Sequence, residues 1–385
     1  MNDENMISME SPESGEKAAE GESLKKAKKS YSEVGLFFFV FTIIVNVVQI
    51  IYTGVVAIMH LEGSWVQFGT IFVSVDLVGF PIMLLMFLKR DKLKPEKNKV
   101  SFGVYLIYAA MCMTIIYAGS YIGNIVNLLI TLPFSSNETQ AMEATNVVGQ
   151  LLDGAGIFGR VFVVGICAPV FEELLFRKLL IERVLKYGEM IAIIVSGVMF
   201  GLFHGNFSQF FYAVGLGMFF AYIYIRTGKI WYTIGLHMIV NLTSSVVSMY
   251  VLSIVDMNVY QEILTNPQIL SNPPQYVVDA LPGIGIYMAY SMLLMLIAFF
   301  GFIMWIYHFA NAKKVVVVDG ENTIVPITDI NKKKFFIKKQ AEDIPKGKRF
   351  KTAFINGGML TYVIIWVLSF VMYYFVIIYN MLVAA

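Results

Sequence analysis

The sequence predicts an all-α fold, a polytopic transmembrane helical bundle of about eight or nine spans, and three observations carry that prediction. Only 15% of the 385 residues are charged and 57% are apolar, whereas a soluble chain carries about 25% charged residues. Mean hydropathy is +0.69, and Phe, Tyr, Met, Ile and Val fall in long uninterrupted runs. The basic residues, finally, sort almost entirely to one side of those runs. The two cysteines, Cys112 and Cys167, both lie inside apolar runs, which excludes a disulfide framework or a CxxC knuckle and makes them small buried residues.

Residues 1–32 are rich in Glu, Ser and Lys without evident apolar periodicity, and read as a disordered cytoplasmic tail. The first apolar run is too long and too late for a signal-peptide core. A span needs about 20 mostly apolar residues. On that rule the candidates are 35–59, 65–88, 103–133, 155–176, 189–204, 207–225, 231–254, 283–310 and 355–381, the fifth and sixth being shortest. The division that follows is N-terminal helices over 33–134, a central core over 155–250, an outer loop over 255–282, one helix over 283–311, a cytoplasmic insert over 312–352 and a last helix over 353–385.

Charge placement tests this count, because short cytoplasmic loops are enriched in Lys and Arg. The tail, the loop 89–99, the stretch 177–186, the turn holding Arg226 and Lys229, and the segment 313–351 hold every basic residue of the chain except Arg160. The opposite loops, 60–64, 134–154 and 255–282, contain acids but no Lys or Arg. The N-terminus is therefore expected inside, the C-terminus outside. The outer loop carries Pro267, Pro273 and Pro274 and should form a cap with one short helix. In the insert, two β-prone runs flank Asp319 and Gly320, a hairpin signal. Its Lys332, Lys333, Lys334, Lys338 and Lys339 suit anionic headgroups.

Chemistry is sought where polar groups sit inside apolar spans, since an ionisable group there is expensive and functional by default. Glu173 and Arg177 lie four apart on one helix face and can pair. Glu172 is rotated about 100° away, has no helical partner, and follows Pro169, which loosens the backbone. His204 ends the fifth run among Gly and Phe, and His237 and Asn241 stand one turn apart on the seventh. His60 and His308 fall at span ends and read as interfacial. Asp76, Asn46, Asn124, Asn127 and Arg160 share no spacing and read as hydrogen-bonding groups between helices. One carboxylate, two imidazoles and a carboxamide are the parts of a hydrolytic site: the carboxylate takes a proton from water, and His and Asn can donate to an oxyanion. Glu172 and His204 are 32 residues apart about a turn near Gly188, so antiparallel helices return them to one level.

The motifs EExxxR (Glu172, Glu173, Arg177), FxxxH (Phe200, His204) and HxxxN (His237, Asn241) resemble those of the CPBP family of intramembrane proteases, which includes the type II CAAX prenyl endopeptidases and bacterial bacteriocin-processing and self-immunity proteins. Arg226-Thr227-Gly228 before Ile230-Trp231 also resembles the family's stretch between its last two motifs. The resemblance covers about 155–250. It implies an endopeptidase in which Glu172 activates water beside His204, His237 and Asn241 stabilise the oxyanion, and Glu173 and Arg177 give structural support. It also implies a metalloprotease with zinc, held by His204 and His237 with Glu172. The residues themselves leave a metal-free site equally open, because Asn is a poor zinc ligand and HExxH is absent.

The expected partners are membrane lipids and a peptide or protein substrate, with no nucleic acid, in a bacterial plasma membrane. The alternative function is a proteolytically silent relative that binds or transports a peptide or confers immunity. The clustering of polar groups in one third of the chain favours the enzyme, since a transporter distributes them over repeats. One tension remains: His237 follows Lys229 by eight residues, while His204 follows Gly188 by sixteen. The expectation that reconciles these depths is a charged hairpin over 177–191 projecting into the cytoplasm. Single cysteines at Ser271 and Asn331 are expected to label from opposite sides of sealed cells, and equal labelling of both by an impermeant reagent would rule out the nine-span topology.

Overall fold

The computed structural model describes residues 12–154, 156–312, 315–318, 321–326 and 344–384. Helix α1 is Pro12–Ile58, and α2 covers 64–87, with a π-helical middle at Phe72–Gly79. Helix α3 is Phe102–Thr131, and two short helices follow, α4 Glu138–Ala144 and α5 Val147–Asp153. Helix α6 covers 159–187 as successive π, α, π, α and 3-10 segments. Next come α7 Glu189–Phe203, α8 Phe207–Thr227 and α9 over 230–253, with π turns at Thr243–Ser248. Helix α10 is Met257–Thr265 and α11 is Gln275–Ala312. Strands β1 Val315–Val318 and β2 Glu321–Pro326 pair antiparallel, Val316 opposite Val325. Helices α12 Arg349–Phe354 and α13 Gly357–Ala384 end the chain.

Seven of these helices are long and apolar enough to cross a membrane. The other two expected spans are helical but different in kind. Helix α7 has 15 residues, short of the roughly 20 that a span needs, and of the expected span 155–176 the residues from 159 on belong to the charged α6. The insert's two strands pair as a hairpin would require, while Asp319, Gly320 and the lysine-rich end at 332–339 lie outside the described residues. The outer loop does contain its short helix, α10. Helix α11 then starts at Gln275 rather than 283 and keeps Pro282 inside it, because Val277 and Ile284 pack with Val259 in one apolar cluster.

The N-terminal tail is a further correction. Residues 12–32 belong to α1, and only 1–11 and the side chains to 18 lie outside the description. Ala27, Tyr31, Val34, Phe38, Phe41 and Val45 are all buried. They recur every three, four or seven residues, an amphipathic stripe diluted in the sequence by the lysines around it. Tyr31 meets Tyr187 at 5.9 Å between ring centroids, so the tail's second half is tied to the end of α6.

Nor does 177–191 project. Phe176, Leu180, Ile181, Val184 and Leu185 are buried in the main core, and Arg177, Glu182, Arg183 and Glu189 are buried beside them. Arg183 donates to the carbonyls of Phe87 and Lys178, both at 2.9 Å. Tyr224 donates to Glu182 at 2.6 Å, and Arg226 pairs with Glu189 at 2.8 Å. Partners supplied by α2 and α8 make the segment compatible with the protein interior, which its composition alone does not suggest.

Helix α8 is held between two close-packed faces. On α7, a Cβ at Gly201 would come within 2.3 Å of Val214, and Gly217 of α8 lies against Gly197. On α3, a Cβ at Gly119 or Gly123 would strike the backbone of Tyr212 or Phe207. Each face is a G-x3-G pair, which lets membrane helices approach backbone to backbone. Asn127 adds a polar tie, donating to Ser208 at 2.8 Å and accepting from Tyr374. It joins helices as expected, whereas Asn46 bonds within its own helix, to Thr42. His308, expected at an interface, is buried beside Tyr222 at 3.1 Å.

Arg177 is the largest fully buried side chain. Its Nη2 donates to Glu173 Oε1 at 3.0 Å, Nε lies 2.9 Å from Glu173 Oε2, and Nη1 donates to Ser196 at 2.9 Å. The guanidinium also sits 5.1 Å from the Phe200 ring centroid and 5.7 Å from that of Phe220. Removing one partner of a buried pair costs about 3–5 kcal/mol. Arg177→Met should therefore lower the melting temperature steeply, while Glu173→Gln combined with Arg177→Met recovers part of the loss. Additive losses in thermal unfolding of the detergent-solubilised variants would show that the pair does not act as a unit.

Candidate active site

Helix α6 supplies two adjacent glutamates from a short α-helical segment, Ala168–Glu173, with π-helical turns on both sides. Successive side chains on a helix diverge by about 100°, so the two glutamates serve different neighbours. Glu173 is fully buried and turns to Arg177, as above. Glu172 keeps 15% of its side chain exposed and turns toward His237 of α9, Oε2 to Nε2 at 3.7 Å.

His237 is the joint between the two. Its Nδ1 stands 3.2 Å from Glu173 Oε1. A carboxylate held by a guanidinium can only accept, so Nδ1 carries the hydrogen and the ring presents Nε2 to Glu172. The imidazole is wedged against Phe200 at 5.8 Å and Phe220 at 5.5 Å between centroids. Its orientation is thus fixed by one hydrogen bond and two aromatic rings.

His204 is the last helical contact of α7. Its Nδ1 lies 2.9 Å from the Phe200 carbonyl, which can only accept, so Nε2 carries the lone pair. Gly205 then turns the chain with φ of +68°, and Asn206 caps α8 by accepting from the backbone N–H of Gln209 at 3.0 Å. The ring of His204 meets Phe200 edge-on at 4.9 Å. Both histidines therefore flank one phenylalanine, and the tension between their depths disappears without a cytoplasmic projection. The equal-arm pairing about Gly188 is visible in the contact of Phe176 with Phe200 at 5.1 Å, each twelve residues from the turn.

Asn241, one turn beyond His237, donates to the Val164 carbonyl at 2.9 Å. That bond ties α9 to α6 and occupies one of the two amide hydrogens. Sequence reasoning missed two neighbours. Asp76, in the π-helical part of α2, is 4% exposed, its Oδ2 is without a hydrogen-bond partner, and its carboxyl feels the charge of Glu172. One turn on, Phe80 packs on Phe171 at 4.9 Å. Tyr212 of α8 also lies within electrostatic reach of Glu172. The available signal for Asp76 was that it is the one acidic residue of its apolar run.

A catalytic zinc takes three protein ligands. Glu172 and His237 come together, but among the described residues no group of three His, Cys, Asp or Glu side chains is placed to hold a metal ion. The donor set does not fit the zinc site that the sequence left open.

Residues 154–243 match the family model described as Type II CAAX prenyl endopeptidase Rce1-like. A Bacillus subtilis (strain 168) protein named "Putative membrane peptidase YdiL" is 24% identical over 188 residues, which cover 48% of this chain and 70% of that protein. No solved structure matches significantly. The matched segment begins before α6 and ends just after Asn241, so it contains every residue of the Glu172, Glu173, Arg177, His204, His237 and Asn241 constellation. By this segment the chain is similar to the type II CAAX prenyl endopeptidase Rce1-like proteins, and the segment sits within a bundle of membrane-spanning helices.

Proposed function

We propose that the protein is an intramembrane endopeptidase that hydrolyses a peptide bond of a membrane-associated peptide or protein by water activated at Glu172. The supporting observation is the placement of Glu172 beside the Nε2 of a histidine whose other nitrogen is fixed by an ion-paired carboxylate. The gap of 3.7 Å between Glu172 and His237 is too long for a direct hydrogen bond and suits groups bridged through a third atom.

In this reading Glu172 takes a proton from water as the water oxygen attacks the substrate carbonyl. His204 accepts the water's second hydrogen at Nε2 and so aims its lone pair. The oxyanion that forms is met by His237, held in place by Glu173, and by the remaining N–H of Asn241. Glu172 then passes its proton to the leaving amine nitrogen, and the C–N bond breaks. All steps use side chains of α6, α7 and α9 and need no metal. The one-sided basic loops support an N-terminus on the cytoplasmic side of a bacterial plasma membrane.

Glu172→Gln keeps the volume and removes the base, so cleavage should fall by about 10²–10⁴-fold while the folded protein is still recovered from the membrane. A purified variant that cleaves at near wild-type rate sinks the mechanism. Glu173→Gln is expected to cost more stability and less activity than Glu172→Gln, and a reversed order in paired melting and cleavage assays would exchange their roles. Asp76 is a buried carboxylate with an unmatched oxygen, a costly arrangement that suits a group kept for the site's charge. Asp76→Asn should raise the melting temperature and lower the cleavage rate; a variant neither more stable nor slower would make Asp76 a bystander.

A further inference from the structure

A second polar cavity lies away from the glutamates, and the family resemblance does not reach most of it. Its volume is about 410 Å³. The walls are the early turns of α1, with Lys26, Lys29 and Glu33, the chain leaving α2, with Lys89, Arg90 and Asp91, and the end of α6, with Arg183 and Lys186. Six cations line the walls beside two carboxylates; Glu33 pairs with Arg90 at 3.2 Å, and Lys26 pairs with Glu22, outside the lining, at 2.9 Å. Lys29, Lys89 and Arg183 thus outnumber the remaining carboxylate of the lining, Asp91, and suit an anion.

Arg183 makes this a built site rather than a crowd of surface lysines. It is 7% exposed, held by its two backbone hydrogen bonds and seated 5.1 Å from the Phe87 ring centroid. Its one carboxylate neighbour, Glu182, is 4.0 Å away and is committed to Tyr224. The Nε–H of Arg183 has no hydrogen-bond partner, an exception to the rule that buried donors are matched. A guanidinium with an open N–H, in a cavity ringed by lysines, suits a phosphate oxygen.

The surroundings indicate which phosphate. Phe37 and Phe87 form an apolar wall of the cavity, and next to it Leu84 and Leu85 of α2, and Leu88 just past its end, point outward, 41–66% exposed. The cavity therefore sits where an apolar helix surface gives way to the chain's basic loops, the level of lipid headgroups. We propose that it binds a phosphate group, supplied by the headgroup of an anionic phospholipid, and that this pins the stretch of α1 from Lys26 to Glu33 to the ends of α2 and α6. The proposal is independent of any catalytic role of Glu172.

The test uses the purified full-length chain in neutral detergent. Phosphatidylglycerol, phosphatidylcholine and inorganic phosphate are titrated separately, with melting temperature and retained lipid in native mass spectrometry as readouts. Phosphatidylglycerol should raise the melting temperature and be retained, whereas phosphatidylcholine should not. The Lys29→Gln, Lys89→Gln double variant, which changes only exposed side chains, should weaken that binding by about 10- to 30-fold. A control losing the same charge outside the cavity, Lys97→Gln with Lys99→Gln, should keep it. Stabilisation by inorganic phosphate equal to that by lipid, and lost in the cavity variant, supports the phosphate site with the free ion as its source. Equal effects of phosphatidylglycerol and phosphatidylcholine, or equal losses in the two double variants, overturn the proposal. Arg183→Gln adds a second check if it folds, since it should abolish the phosphate effect.

Discussion

The buried ion pair between Glu173 and Arg177 is the constraint on which the rest of the site depends. Two full charges in an interior without water persist only if each finds partners. Here Arg177 spends its donors on Glu173 and Ser196 and its faces on Phe200 and Phe220. Glu173 spends what is left on His237. The pair therefore reaches α7 through Ser196 and Phe200, α8 through Phe220 and α9 through His237. A single polar cluster sets the mutual rotation of four helices that apolar packing alone would leave freer to slide.

The same cluster separates the duties of two neighbouring glutamates. Glu173 is fully buried, with both oxygens beside Arg177 and one beside His237. Glu172, one residue earlier, is turned out of the pair and keeps partial access. The π-helical turns before and after this segment, and those that hold Asp76 and follow Asn241, widen the helices where polar groups must face inward. Such distortions recur at functional sites because they re-aim side chains at a modest cost in backbone bonding.

Around this centre the bundle uses two different ways of bringing helices together. Glycine pairs let α8 touch α3 and α7 backbone to backbone, which lowers the distance that side chains such as Tyr212 must span. At the basic end of the bundle, α1, α2 and α6 meet through long cationic side chains and leave a cavity instead. Close contact surrounds the site, while the open end leaves a cavity lined by cationic side chains.

Much of this was legible in the sequence. Apolar runs of about 20 residues and one-sided basic loops determine the helical class, because lipid admits almost no other backbone. The i, i+4 spacings foretold the Glu173–Arg177 pair and placed His237 and Asn241 on one face, and the equal arms about Gly188 foretold the level of His204. Tertiary structure alone decided the remainder. The stretch 177–191 reads as too charged for the interior until Phe87, Tyr224 and Arg226 arrive from other helices to match it. The tail reads as disordered until Tyr187 meets Tyr31. Asp76 reads as one of a scatter until α2 is laid beside Glu172. In each case the deciding energy lies in a contact between residues far apart in the chain, and no periodicity within one segment can encode a partner supplied by another.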